Sequence, residues 1–338
     1  MKVAVYQTKP KLLDLNANLD EVIAKIHQGK EKGADLSVFP ELALTGYFVG
    51  QRYHEVALKL DSQEIRKLVS ATKGTAAVVG FVEESRSMNF YDSALVAIDG
   101  NILFAYRKLN LPNYGVFEER KYFASGKQVP VFRFQGFAIA VFICNDVWHP
   151  SLPYLGVTRK ADVFVTIFNS AEDSMGSEFS NIETWGIINT FYSRVFGIYN
   201  ICANRVGEER FEERRALPGI SSEKTEADEN SAPLCKSVTH RFWGGSEIIN
   251  PYGQTVAKAA LYEPDEIFGE ISGELLRQKR ILLPYVRNDD PYFTHRELER
   301  MSQLNHQDPT QETGYDHDYL NRPGQIQKRR VHVSDDDK

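Results

Sequence analysis

The sequence predicts an α/β fold with a mixed rather than purely parallel sheet. Short β-rich runs alternate with longer segments of helical period. Hairpin signals interrupt that alternation: strand-like runs flank Asp99-Gly100, Gln135-Gly136 and Asn250-Pro251-Tyr252-Gly253. No repeat of fixed period and no phosphate-loop or dinucleotide glycine pattern points to another architecture.

The elements follow in order. Residues 3–7 form an apolar run that predicts a buried strand. Leu19, Val22, Ile23 and Ile26 then fall at i, i+3, i+4 and i+7, one apolar face of a helix, with Gly33 as its stop. Residues 36–39 predict a second strand ending at Pro40-Glu41, and residues 63–71 a second helix. Residues 76–82 are β-rich, and 94–98 with 102–106 make the first hairpin. Residues 131–134 and 137–143 make the next, then a short helix over 151–160 and a strand over 163–168. A helix over 181–194, a strand over 197–202, the pair 246–249 and 255–258, and a last strand over 267–271 complete the set.

Two segments break the pattern. Residues 207–240 are rich in Glu, Arg and Ser with little periodicity, and read as an inserted surface loop. From about 301 onward aliphatic residues almost vanish, and the final Ser334-Asp335-Asp336-Asp337-Lys338 is expected to be disordered. The chain thus divides into a principal domain over 1–290 and a C-terminal extension over 291–338.

Composition narrows the class. The 338 residues are 42% apolar and 25% charged, as in a soluble globular enzyme, and suffice for a large core. A net charge of −6 without any basic, aromatic-interleaved run argues against nucleic-acid binding. No apolar run has membrane-spanning length, and the first residues lack the pattern of a signal peptide. Three widely spaced cysteines, Cys144, Cys202 and Cys235, are not a disulfide framework and fit a cytoplasmic protein.

Three segments carry candidate chemistry. Cys144 follows the apolar run Phe142-Ile143 and precedes Asn145-Asp146, so it stands where a strand ends. Read alone, it is either a core thiol or a nucleophile, and a nucleophile needs a base. Glu41 also follows an apolar strand and is embedded among apolar residues, where a carboxylate is expected to titrate high enough for general base and acid work; an ion-paired strand-end residue is the plainer reading. Lys108 closes a strand too, and alone reads as a solvated surface charge.

Together these segments resemble the nitrilase, or carbon–nitrogen hydrolase, superfamily, whose Glu–Lys–Cys triad runs in this chain order. Pro40-Glu41 with Thr45-Gly46-Tyr47, Lys108 with Leu111-Pro112, and Ile143-Cys144 match its three signatures. Asn204-Arg205-Val206-Gly207, Gly245-Ser246 and Asn250-Pro251-Tyr252-Gly253 are further matches, so the likeness covers roughly residues 1–290. The resemblance implies a four-layer αββα sandwich, a homodimer or higher homo-oligomer, often with the C-terminal segment reaching the partner, and no cofactor or metal. The absence of a Cys/His cluster agrees, Cys144 and His149 being one pair at most.

The resemblance also implies roles. Glu41 takes the Cys144 proton, the thiolate attacks an amide carbon, and Lys108 with the Asn145 backbone N–H stabilises the oxyanion. Glu119 matches the family's second glutamate, which orients substrate or the lysine; a salt bridge to Arg120 or Arg133 is the competing reading. Cys202 reads as packing and Cys235 as incidental.

The segments around Lys108 and Cys144 are most similar to the glutaminase domain of glutamine-dependent NAD synthetase, which suggests that Tyr114 and Ser170 line the acyl pocket. Two features depart from it. Asn145 stands where those glutaminases usually carry Glu, and no ATP-using synthetase segment is present in the 338 residues. The leading expectation is therefore hydrolysis of a small amide lacking an ammonium group, unless another acid, such as Glu172 or Glu178, holds that group. A glutaminase subunit feeding a separate synthetase, a nitrilase proper and a non-catalytic scaffold remain open.

Overall fold

The computed structural model describes residues 1–172, 174, 180–214 and 235–307. β1 (Lys2–Gln7) is buried from its second residue on. α1 (Leu15–Glu31) starts where the Asp14 side chain accepts a hydrogen bond from the Ala17 N–H at 3.2 Å, and it buries Leu19, Val22 and Ile26. It ends before Gly33, whose φ of 78° suits the residue that turns a chain out of a helix. Then come β2 (Leu36–Val38), the short α2 (Tyr53–Val56), α3 (Gln63–Ala71), β3 (Ala76–Glu84), β4 (Phe90–Ile98) and β5 (Asn101–Arg107).

The second half begins with β6 (Val131–Phe134), β7 (Phe137–Ile143), α4 (Ser151–Thr158), β8 (Val163–Phe168), α5 (Asn181–Phe196) and β9 (Tyr199–Asn204). It continues through β10 (Val206–Arg214), β11 (Cys235–Trp243), β12 (Glu247–Ile249), β13 (Thr255–Lys258), β14 (Asp265–Glu270), α6 (Gly273–Leu282) and α7 (Tyr285–Asn288). Residues Met1–Asn288 form one unit. The second unit, Asp289–Lys338, contributes α8 (Pro291–Gln307), whose start is capped by Asp290 accepting from the Phe293 N–H at 2.9 Å.

The strands make two six-stranded mixed sheets, ordered β14-β1-β2-β3-β4-β5 and β13-β12-β9-β8-β7-β6. Val3, Val5, Leu36, Val38, Val78 and Val96 from the first share one buried core with Ile139, Val141, Val163, Val165 and Ile201 from the second. Alternate residues of the first sheet, Tyr6, Phe39, Val79 and Leu95, pack with Leu19, Val22 and Ile26 of α1 and Ile65 and Leu68 of α3. In the second, Phe164 meets Phe196 and Phe168 stacks on Trp185, both on α5. Helices, sheet, sheet and helices are therefore stacked in four layers, as expected.

The hairpin turns hold as read: Asp99, Gly100, Gln135 and Gly136 all have positive φ. The 207–240 segment is different. Its described arms are not loop but the antiparallel pair β10 and β11, with Cys235 in a strand and 215–234 outside the described residues. Charges on both faces hide the strand period in the sequence. Among the described residues no helix is long and apolar enough to cross a membrane. Residues 301–307, where aliphatic residues thin out, continue α8; those beyond, including the 334–338 end expected to be disordered, lie outside the described residues.

Candidate active site

Four strand ends meet at one place. Glu41 follows β2, Lys108 follows β5, Cys144 follows β7 and Asn169 follows β8. The turn carrying Glu41 lies hard against the middle of β3, because Gly80 has no side chain. A Cβ there would stand 2.4 Å from Pro40 O and Leu42 N. Gly126 does the same beside Lys108: its N–H donates to Lys108 O at 2.8 Å, and a Cβ would meet Arg107 O at 2.1 Å.

Cys144 has φ of 45°, in the left-handed region that costs a side-chain-bearing residue of order 1 kcal/mol or more. The turn is held by Asp146, which is fully buried. Its Oδ2 accepts from Tyr106 OH at 2.7 Å and Ile143 N at 3.1 Å, and its Oδ1 from Leu109 N at 3.1 Å and Asn110 N at 2.8 Å. One carboxylate thus ties the chain after Lys108 to the chain that presents Cys144.

Lys108 is not a surface charge; its exposure is 0%. Its Nζ donates to Glu41 Oε1 at 2.6 Å and Glu119 Oε1 at 2.7 Å, and lies 3.4 Å from Asp92 Oδ2. Burial alone would lower its pKa, but Glu119, Glu41 and the other acids win and hold it well above the usual lysine range. Glu41 Oε2 accepts the Asn169 N–H at 2.7 Å. Glu119 also accepts from Tyr47 OH at 2.5 Å. Its partner is therefore Lys108, not Arg120, which donates to Leu111 O. Burial lifts Glu119 to about 7, against the pull of Lys108.

The Cys144 thiol is pushed well above its ordinary range by burial first, then by the negative charge of Glu41 and Glu119; Lys108 opposes the shift. At rest it is a thiol rather than a thiolate, and a base beside it is required to activate it.

Glu41, Asp92 and Glu119 bring oxygens within 4.8 Å of one another, a spacing a metal ion would tolerate. Lys108 supplies the cation at that place, and carboxylates alone around an ammonium do not fit a soft-metal centre. Asp92 and Asn169 escaped the sequence reading, and Tyr47 and Asp146, quoted there within motifs, were given no role. The Asp-Ser pair inside an apolar strand was the one visible sign of Asp92.

Cys144 opens into a pocket lined by Tyr114, Phe117, Asn145, Trp148, Asn169, Ser170 and Trp185, among others. Tyr114 OH donates to Asn145 Oδ1 at 2.8 Å, and Ser170 N to Asn204 Oδ1 at 3.0 Å. No carboxylate is among the described residues lining it. Glu172 does not line it and accepts a hydrogen bond from Tyr262 OH. Glu178 lies outside the described residues. Cys202 is buried within β9, as its apolar setting suggested.

Residues 2–281 match the carbon–nitrogen hydrolase family. The glutamine-dependent NAD(+) synthetase of Acinetobacter baylyi is 30% identical over 207 residues, which cover 61% of this chain and 37% of that protein. The corresponding Synechocystis synthetase is 24% identical over 85% of this chain and 50% of its own length. The chain thus spans half or less of these two relatives. Among solved structures, the NAD+ synthetase of Acinetobacter baumannii aligns with a TM-score of 0.65 at 24% identity, over 81% of this chain and 46% of that one. An amidase from Nesterenkonia sp. AN1 aligns with a TM-score of 0.66 at 21% identity, over 88% and 96%. At those identities the structural likeness is one of fold. With the family match spanning both sheets and every strand end of the site, the chain belongs to the carbon–nitrogen hydrolase family.

Proposed function

We propose that the protein is a thiol amidohydrolase that cleaves a small, linear carboxamide through an acyl-enzyme on Cys144. One observation carries this: a buried lysine bridges two glutamates beside a strand-end thiol that itself opens into a pocket. Glu41 takes the thiol proton as the sulfur attacks the carbonyl carbon. Lys108 and the Asn145 backbone N–H stabilise the oxygen that becomes negative. The carbon–nitrogen bond then breaks, and ammonia leaves with the proton from Glu41. Water, giving its own proton to Glu41, adds to the thioester, and the carboxylic acid and free thiol return.

Among the described residues the pocket lining carries no charge, which favours an acyl group without an ammonium. Tyr114, Asn145 and Ser170 offer neutral donors and acceptors. A mutant of the Nesterenkonia amidase carries the acetamide moiety of fluoroacetamide covalently added at its active-site cysteine, which makes that cysteine a nucleophile, the role proposed here for Cys144. The curated relatives favour a second reading, in which glutamine is the amide and the ammonia passes to a synthetase.

Steady-state kinetics separate the two. We expect kcat/KM for simple aliphatic amides to exceed that for glutamine, and Asn145→Glu to move the preference toward glutamine by placing a carboxylate where it can pair with the ammonium. A wild-type preference for glutamine by about tenfold, worth about 1.4 kcal/mol, establishes the ammonia-supplying reading instead. Mass spectrometry of the chain after a mixed amide challenge would identify the acyl group left on Cys144.

A further inference from the structure

The carboxylates around Lys108 outnumber it. Glu41, Asp92 and Glu119 are at most 5% exposed and crowd one ammonium, so three ionised acids would leave two uncompensated negative charges out of water. The other titratable groups about the cluster are Tyr47, Tyr106, Tyr114, Cys144 and Asp146, and none of them brings a positive charge. At least one carboxyl must therefore hold a proton.

Hydrogen bonding decides which. Glu41 accepts from Lys108 through one oxygen and from the Asn169 N–H through the other, and both donors favour the ionised form. Glu119 accepts from Lys108 and from Tyr47 OH, both through Oε1, while its Oε2 has no partner. Asp92 has no such support. Both its side-chain oxygens are buried without a hydrogen-bond partner, and its contact with Lys108 is the longest of the three at 3.4 Å.

We propose that Asp92 is a positioning residue that carries a proton at neutral pH, so that one negative charge fewer crowds Lys108 and the Glu41 base. As an acid it gains an O–H to donate to the neighbouring Glu41 carboxylate, with which its side chain interacts. Burial first, and then Glu41, push its carboxyl well above the usual aspartate range, while Lys108 opposes. The register supports the placement: Asp92 O accepts the Lys108 N–H at 2.9 Å, so the two residues are neighbours across β4 and β5 by backbone pairing as well. The proposal rests on Glu41 being the base of the reaction above.

Infrared difference spectroscopy of the substrate-free protein tests it, near pH 8, above the value of about 7 to which burial lifts Glu119. The wild type is expected to show the C=O stretch of a protonated carboxylic acid. That band shifts when aspartate carboxyls carry ¹³C and does not shift with labelled glutamate. It is lost in Asp92→Asn and kept in Glu119→Gln. Absence of the band, a shift with labelled glutamate instead, or survival of the aspartate band in Asp92→Asn overturns the proposal. Should Asp92→Asn fail to fold, Asp146→Asn decides: persistence of the aspartate band supports Asp92, and its loss assigns the proton to Asp146. No turnover is measured, so failure here is distinct from failure of Glu41 as the base, which the kinetics of Glu41→Gln would show.

Discussion

The half of the molecule built on β1–β5 and the half built on β7–β9, β12 and β13 have the same strand arrangement. In each, three parallel strands run side by side, two antiparallel strands follow on one flank, and one antiparallel strand, β14 or β6, closes the other. Corresponding strand ends do different work. After β2 comes Glu41; after its counterpart β8 comes Asn169, whose N–H holds Glu41. After β7 comes Cys144; at the end of its counterpart β1 stands Gln7, buried and joined to Ala260 O and Glu263 O at 2.6 and 2.8 Å and to Ser246 N at 2.9 Å. One half supplies the charges, the other the nucleophile, and neither half has a complete site. What selects a strand end for chemistry is thus the residue and the turn placed there: Cys144 stands just past β7 with φ of 45°, whereas Gln7 is still within β1.

Exchanging the importance of Gln7 and Cys144 would break this comparison, and it carries the largest expected effect. Cys144→Ala should lower amide hydrolysis by about 10⁴-fold or more while the fold survives. Gln7→Ala should do the reverse. It leaves the buried Ser246 N–H and two part-buried carbonyls without their partner, at a cost of about 1–3 kcal/mol in stability, and at a temperature well below the melting transition it keeps most turnover. Denaturant melts and initial rates on both variants decide. Comparable activity in Cys144→Ala would show that the thiol is structural.

Two of the strand-end residues were legible because each is a polar break directly after an apolar run. Cys144 and Glu41 announce themselves that way, and the hairpin turns do so through Gly and Asp, whereas Lys108 follows Arg107 and gained its meaning only beside the other two segments. Asp92 was not legible. It lies inside β4, and its meaning depends on β5 lying alongside and on the second sheet lying across. The β10–β11 pair was missed because Glu209 points a charge inward. That charge is used: Glu209 pairs with buried Arg205 and accepts the Tyr47 and Phe48 N–H groups. A pattern argument that expects charge outward cannot find such a strand. Glu119 was found, but the choice between Arg120 and Lys108 as its partner needed the 3₁₀ turn at Glu119–Lys121 to be seen in place.

A pH titration sharpens the comparison within the charged half. Burial raises Glu119 from 4.5 to about 7 in the folded chain, so the folded protein holds that proton more tightly than the unfolded one. Its stabilising share is complete below about 4.5 and is lost as pH rises through about 7. Activity should move the opposite way, because ionised Glu119 is the form that accepts from both Lys108 and Tyr47. We expect kcat/KM to rise through about pH 7 in the wild type, and Glu119→Gln to flatten that step. A step that survives unchanged in Glu119→Gln would assign it to another group.

The smallest expected effect separates two buried thiols of the same half. Cys202 sits in mid-strand on β9, opposite Thr166 of β8 and Glu247 of β12, with 0% exposure. Burial, then the charge of Glu247, holds its pKa well above the ordinary thiol range, as burial does for Cys144. Titration alone therefore does not tell the two apart; position does. Cys144 has the left-handed turn, the pocket and the lysine–glutamate cluster, whereas Cys202 has strand neighbours on both sides. Cys202→Ala removes one buried sulfur and should cost about 1 kcal/mol of stability with turnover unchanged. Iodoacetamide followed by peptide mapping should modify Cys144 before Cys202 in the folded protein, with loss of activity tracking the Cys144 peptide. A large loss of turnover in Cys202→Ala at a temperature where it remains folded would mean that mid-strand burial had been misread as mere packing.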